Sequence, residues 1–153
     1  MLSGTKKVTG LDIGTSNIKI AEMEVTRRGV VLNSFAVTPT PPAAVNGGEI
    51  ANIPGVAATI QALVAQGRFK RKNACTGMWG TAIIVKKISI PRIDKKMVAE
   101  QIKWEAEQYI PFDINEISLA HHIINPNGHS ETMDILLIAA QNELVNQYAN
   151  VMT

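Results

Sequence analysis

Apolar and polar residues alternate at the start of the chain in short runs separated by turn residues. Val8, Leu11 and Ile13 precede Gly14-Thr15-Ser16-Asn17, and Ile18, Ile20 and Met23 follow it. Arg27-Arg28-Gly29 marks a second turn before the run from 30 to 37. Alternation broken by Gly, Ser, Asn and Thr predicts strands at about 6–13, 17–25 and 30–37, joined as a meander. Proline lacks the N–H that a ladder needs, so Thr38-Pro39-Thr40-Pro41-Pro42 is expected to stop pairing and open a loop reaching Gly47-Gly48.

The period then lengthens. Ile53, Val56, Ala57, Ile60, Leu63 and Val64 recur every three or four residues, which predicts a helix over 54–66 with Pro54 in its first turn and Gly67 as its stop. Ala74 to Trp79 is a short apolar segment, and Ile83, Ile84, Val85, Ile88 and Ile90 form a β-branched strand closed by Pro91. Asp94 caps an amphipathic helix reaching Tyr109, with Met97, Val98, Ile102, Trp104 or Glu105, and Tyr109 as its apolar stripe. Glu100, Lys103, Glu105 and Glu107 mark its solvated face, and Pro111 pushes Ile110 out of helical space. Strands at 117–124 and 133–140 flank the turn Asn125-Pro126-Asn127-Gly128. The run from Asp134 to Ala140 is so apolar that cover on both faces is expected. A last helix opens at Gln141 or Asn142 and the chain stops inside it, which predicts a fragment of a longer protein.

Composition narrows the classes. A chain of 153 residues makes one domain or two small subdomains, and an apolar share of 46% can fill a core. A net charge of +2 is too small to imply a nucleic-acid partner, and none is expected. The run Arg68, Lys70, Arg71, Lys72 around Phe69 reads as a solvated loop complementing the preceding helix C-terminus. No apolar run approaches the roughly 18 residues of a membrane span, and Met1 to Lys7 lacks the apolar stretch of a signal peptide. The single cysteine, Cys75, excludes an internal disulfide and reads as a small buried residue. Cytoplasmic residence is the expectation.

One stretch carries chemistry. Gly10-Leu11-Asp12-Ile13-Gly14-Thr15-Ser16-Asn17-Ile18-Lys19 sets an acid, a glycine, small polar residues and a lysine about one hairpin turn. Backbone N–H groups and hydroxyls at such a tip suit a phosphate. A carboxylate can hold magnesium through water, and a lysine can meet phosphate oxygens. The same residues also make an ordinary turn, and spacing alone leaves both readings open. Elsewhere the chemistry is thin. His121 and His122 are adjacent in a strand and face opposite ways, His129 follows in the turn, and no ligand spacing for zinc appears. Trp79 and Trp104 read as packing or partner-surface residues, and no nucleophile elbow is present. No catalytic residue is assigned.

The pattern Asp-x-Gly-Thr-x-x-x-Lys resembles the first phosphate loop of the superfamily of actin, the heat-shock ATPases and hexokinase. Three further blocks resemble the PilM family of type IV pilus assembly proteins, relatives of the division protein FtsA. They are Ile88-Ser89-Ile90-Pro91, Glu105-Ala106-Glu107-Gln108-Tyr109-Ile110-Pro111-Phe112 and Asp134-Ile135-Leu136-Leu137-Ile138-Ala139-Ala140. The resemblance implies an α/β (α+β) chain, the N-terminal part of an actin-like, ribonuclease H-like fold. Residues 1–76 would be the first subdomain with its phosphate hairpin, and 77–153 the inserted small subdomain of the FtsA and PilM type. It implies a cytoplasmic protein at the inner face of the inner membrane, reaching the membrane only through partners. In that family a groove between the two subdomains grips the cytoplasmic N-terminal tail of PilN, and contact passes on to PilO. Carried over by position, Asp12 would hold magnesium through water. Gly14, Thr15, Ser16 and Asn17 would donate to ATP phosphates, and Lys19 would contact their oxygens. The second phosphate hairpin and adenosine site of such folds lie downstream, so this chain by itself is expected neither to retain ATP nor to hydrolyse it. Apolar faces left open by the missing half predict self-association. An FtsA-like division protein and a superfamily kinase fragment are the alternative readings.

Overall fold

A computed structural model describes residues 6–67, 69, 73–126 and 128–152. The basic positions Arg68, Lys70, Arg71 and Lys72, and Asn127 of the predicted turn, lie outside the described residues. Among the described residues the chain forms two compact units, Met1–Gly80 with Gln147–Thr153, and Thr81–Asn146. The division falls later than the expected 76/77 boundary and returns the chain's last residues to the first unit.

In the first unit, β1 (Lys6–Ile13), β2 (Asn17–Thr26) and β3 (Gly29–Pro39) form the expected antiparallel meander. The alternation is read out directly. Leu11, Ile13, Ile18 and Ile20 are buried, while Asp12, Asn17 and Lys19 are exposed. The meander runs further than the prolines suggested. Pro39 is the last paired residue, opposite Asn17, because β3 is an edge strand and a missing N–H can face solvent there. Val45–Asn46 (β4) and Glu49–Ile50 (β5) then make a small hairpin where a loop was expected. Helix α1 (Ile53–Gln66) starts at Asn52, whose side chain accepts from the Gly55 N–H at 2.9 Å, and it buries Val56 and Leu63. Cys75–Thr76 (β6) pairs in parallel with β1, giving the sheet order β3-β2-β1-β6. Cys75 is exposed, not buried. It stands opposite Gly10, so the parallel register turns it to the face away from Leu11 and Ile13.

In the second unit, β7 (Ile83–Pro91), β8 (Ile117–Ile123) and β9 (Thr132–Gln141) form an antiparallel sheet in the order β7-β9-β8. Helix α2 (Lys95–Tyr109) covers one face. Asp94 caps it, accepting from the Lys96 N–H at 2.9 Å. Ile110 leaves the helix in extended conformation before Pro111, as steric pressure on a pre-proline residue requires. Asp113 then caps a short 3-10 turn, Ile114–Glu116. Val98, Ile102, Ala106 and Ile110 join Ile88, Ile90, Met133, Ile135, Leu137 and Ala139 in one core. This stripe corrects the sequence reading: Met97, Trp104 and Tyr109 lie outside it, with Trp104 67% exposed. Two stripes compete at helical spacing, and the small Ala106 lets α2 approach the sheet along the other one. The expected double cover of β9 is also corrected. Ile135, Leu137 and Ala139 are fully buried, but Asp134, Leu136 and Ile138 on the opposite face are only half-buried. There Lys87 pairs with Asp134 at 2.8 Å and holds its carboxyl below the ordinary carboxylate range, chiefly through that hydrogen bond. The final helix, α3 (Asn142–Met152), opens at Asn142 and straddles the division between the units.

Candidate phosphate-binding hairpin

The β1–β2 turn consists of Gly14, Thr15 and Ser16, held by a bond from the Gly14 N–H to the Asn17 carbonyl at 3.1 Å. A Cβ at position 14 would stand 2.9 Å from that carbonyl, closer than side chains tolerate, so the turn needs glycine. Thr40, just beyond the end of β3, clamps the turn from outside. Its N–H donates to the Ser16 carbonyl at 3.0 Å and its hydroxyl to the Gly14 carbonyl at 2.7 Å. Thr40 is buried, so the donor ends of both bonds are withdrawn from water. Two of the turn's acceptors are thereby occupied. Among the described residues, the N–H groups of Thr15 and Ser16 have no partner, and the side chains of Thr15, Ser16 and Asn17 are exposed. Unpaired donors beside occupied acceptors could serve an anion.

Asp12 and Lys19 stand opposite each other one step below the tip and form an ion pair at 2.7 Å. Both side chains are about half exposed, so the pair contributes at most about 1 kcal/mol. The pairing ties their two predicted roles together. A phosphate reaching Lys19 would draw the ammonium from Asp12 and free the carboxylate for a cation. Among the described residues no group of three or more His, Cys, Asp or Glu side chains could hold a metal by itself. A magnesium ion at Asp12 would thus take its remaining ligands from water and phosphate oxygens. The Trp79 indole N–H donates to the Ile13 carbonyl at 3.4 Å and props the hairpin from the 77–80 segment.

The hairpin is joined to a second knot within the same unit. Gly48 and Gly80 have φ of +95° and +118°, and a Cβ on either would overlap the other segment's backbone, at Trp79 and Gly47 respectively. The Tyr148 hydroxyl donates to the Gly48 carbonyl at 3.0 Å, and the Ile50 N–H donates to Gln147 Oε1 at 2.9 Å. Burial, with the negative charge of Asp12 second, pushes the Tyr148 hydroxyl above the ordinary phenol value.

Every predicted phosphate contact, from Asp12 to Lys19, sits on this one hairpin. Thr40 and Trp79 were missed as its supports. Both reach the turn through tertiary register, and nothing in Thr38-Pro39-Thr40-Pro41-Pro42 signals a clamp.

Comparison with known proteins gives three findings. The family described as "Type IV pilus assembly protein PilM" matches residues 10–153. The solved PilM-PilN type IV pilus biogenesis complex contains a chain similar to this one, with a TM-score of 0.85 and 29% identity. That match covers 95% of this chain but 43% of the solved one, so this chain spans less than half its length. The cytoplasmic domain of EpsL, an inner-membrane component of the type II secretion system of Vibrio cholerae, is similar in fold alone, with a TM-score of 0.54 and 9% identity. That match covers 96% of this chain and 52% of the EpsL domain. The α/β fold expected from the sequence, that of an actin-like PilM, agrees with the first of these structures.

Proposed function

Starting from the fact that this chain belongs to the PilM family of type IV pilus assembly proteins, we propose that it is a cytoplasmic adaptor of the inner-membrane pilus platform. In this reading it grips the short cytoplasmic N-terminal tail of a PilN-type membrane protein, and the complete protein binds ATP with magnesium. The observation that carries the reading is the agreement in fold over 95% of the chain with a PilM solved together with PilN. No helix among the described residues is long and apolar enough to cross a membrane, which suits a protein that meets the bilayer through partners.

The hairpin supplies the chemistry for the nucleotide part. Thr15 and Ser16 would offer backbone N–H groups and hydroxyls to phosphate oxygens, and Asn17 its side-chain amide. Lys19 would turn from Asp12 to a phosphate oxygen, and Asp12 would orient water on magnesium. ATP supplies the negative charge that this donor set lacks. No residue of the chain is assigned to hydrolysis, so steady phosphate release by the 153-residue chain, abolished by Asp12→Ala, would overturn that part.

Calorimetric titration of a synthetic PilN N-terminal peptide into the full-length protein tests the adaptor role. Saturable binding is expected, and its absence would sink the reading. MgATP titrated into full-length protein, with and without Gly14→Ala, tests the hairpin separately. Wild-type binding that survives the substitution would place the nucleotide elsewhere.

A further inference from the structure

Thr40 holds two carbonyls of the β1–β2 turn, and in doing so it sets the direction of an N–H group it does not touch. Among the described residues every peptide bond is trans. A carbonyl and the N–H of the next residue therefore point opposite ways across one rigid plane. The Thr40 hydroxyl donates to the Gly14 carbonyl at 2.7 Å. That bond turns the Thr15 N–H, on the same plane, away from the buried Thr40. The Thr40 N–H fixes the Ser16 carbonyl at 3.0 Å in the same way. The Thr15–Ser16 peptide, which carries the Ser16 N–H, is thus suspended between two fixed planes.

The clamp is itself anchored. The Pro41 carbonyl accepts from the Ala44 N–H at 3.1 Å, closing a turn directly after Thr40. Ala43 within that turn has φ of +57°, a left-handed conformation that costs a residue with a side chain some strain. Such strain persists where the surroundings over-determine the backbone. Here Ala44 is fully buried, and its carbonyl accepts from the Ala51 and Asn52 N–H groups at 2.9 and 3.3 Å. Asn52 is also the residue that caps α1. A run of bonds therefore leads from the start of α1 through Ala44, Pro41 and Thr40 to the carbonyls of the hairpin turn, all within the first unit.

We propose that Thr40 is the positioning residue of the phosphate site: it meets no phosphate itself and aims the backbone donors that do. The proposal rests on the reading of the hairpin as a phosphate site and deepens it. Without the hydroxyl the Gly14–Thr15 plane is free to rotate and to present its carbonyl oxygen, which repels a phosphate, in place of its N–H. A side chain that keeps the hydroxyl keeps the aim. One that lacks it forfeits the equivalent of one net hydrogen bond, about fivefold in affinity.

Calorimetric titration of MgATP into the full-length protein tests this, with Gly14→Ala, Thr40→Val, Thr40→Ser and Leu63→Ala beside wild type. Thr40→Val is expected to weaken binding about fivefold, and Thr40→Ser to bind as wild type does. Leu63→Ala empties a buried position of α1 that makes no bond to the turn. It lowers the melting temperature and leaves the affinity unchanged, which separates aim from general stability. Circular dichroism at the assay temperature confirms that each variant is folded. Wild-type protein that does not bind MgATP, or binds it in spite of Gly14→Ala, overturns the hairpin reading and this proposal with it. Binding that Gly14→Ala abolishes and Thr40→Val leaves intact overturns the clamp alone. So does a loss that Thr40→Ser shares or that Leu63→Ala reproduces.

Discussion

Replacing Tyr148 by Phe keeps the ring and removes one oxygen. That oxygen donates to the Gly48 carbonyl at 3.0 Å from a residue only 2% exposed. Gly48 cannot turn its carbonyl elsewhere, because its φ of +95° and its close approach to Trp79 fix the backbone. The substitution therefore leaves a buried acceptor without a donor. An orphaned buried acceptor costs about 1–3 kcal/mol, so a loss of about 2 kcal/mol is expected. The pH dependence gives a second, independent sign. Burial, then Asp12, holds the folded hydroxyl above the ordinary phenol value. The unfolded chain releases that proton near pH ~10 while the folded chain keeps it. The stabilisation is therefore complete below the ordinary value and is lost as pH rises through the folded one. The gap between wild type and variant narrows in that alkaline range. Urea unfolding followed by Trp79 fluorescence, in a Trp104→Phe background at a series of pH values, measures both effects. Equal midpoints at neutral pH, or parallel profiles into alkali, would refute the reasoning.

Further outcomes follow from other parts of the fold. Leu137→Ala empties a fully buried position on the central strand of the second unit and is expected to cost about 2–5 kcal/mol, read by urea unfolding with Trp104 fluorescence. Asp94→Ala removes the α2 cap and is expected to cost about 1 kcal/mol, with the same readout. Asp134, held below its ordinary value by Lys87, contributes stability above the carboxylate range that is lost as pH falls. Asp134→Asn should therefore flatten the acid limb of the melting-temperature profile, and added salt should flatten it in wild type. Thr40→Val breaks the hydroxyl bond to Gly14, so amide hydrogen exchange at the β1–β2 turn should quicken while exchange in β8 and β9 is unchanged.

The long elements were legible because burial on one side imposes a period on the sequence. β1, β2, α1, β7 and β9 fall within a residue or two of the alternation and the caps that predicted them. What was lost depends on choices that a period cannot make. In α2 both Met97–Trp104 and Val98–Ile102–Ala106 have helical spacing, and only packing onto Ile135 and Leu137 selects the second. The β4–β5 hairpin did leave a signal, Asn46-Gly47-Gly48 between Val45 and Ile50, but strands of two residues each are too short for alternation to register. Cys75 was misplaced because its facing is set by register against Gly10, far away in sequence. The β1–β2 hairpin itself was legible, since its turn residues are consecutive. Its rigidity was not, since Thr40 closes the clamp across 26 residues.

The knot at Gly48 has a consequence for the architecture of the chain. The backbone leaves the first unit through Trp79 and Gly80, crossing over the β4–β5 turn, and re-enters at Gln147 and Tyr148, which bond to that same hairpin. Departure and return are thus fastened to one small piece of backbone. The 66 residues between them, Thr81–Asn146, behave as a cassette. A change in their length is expected to leave the strand order β3-β2-β1-β6 in register, because both splice points are anchored from the host side. Such a layout separates sequence change within Thr81–Asn146 from the β1–β2 hairpin of the first unit.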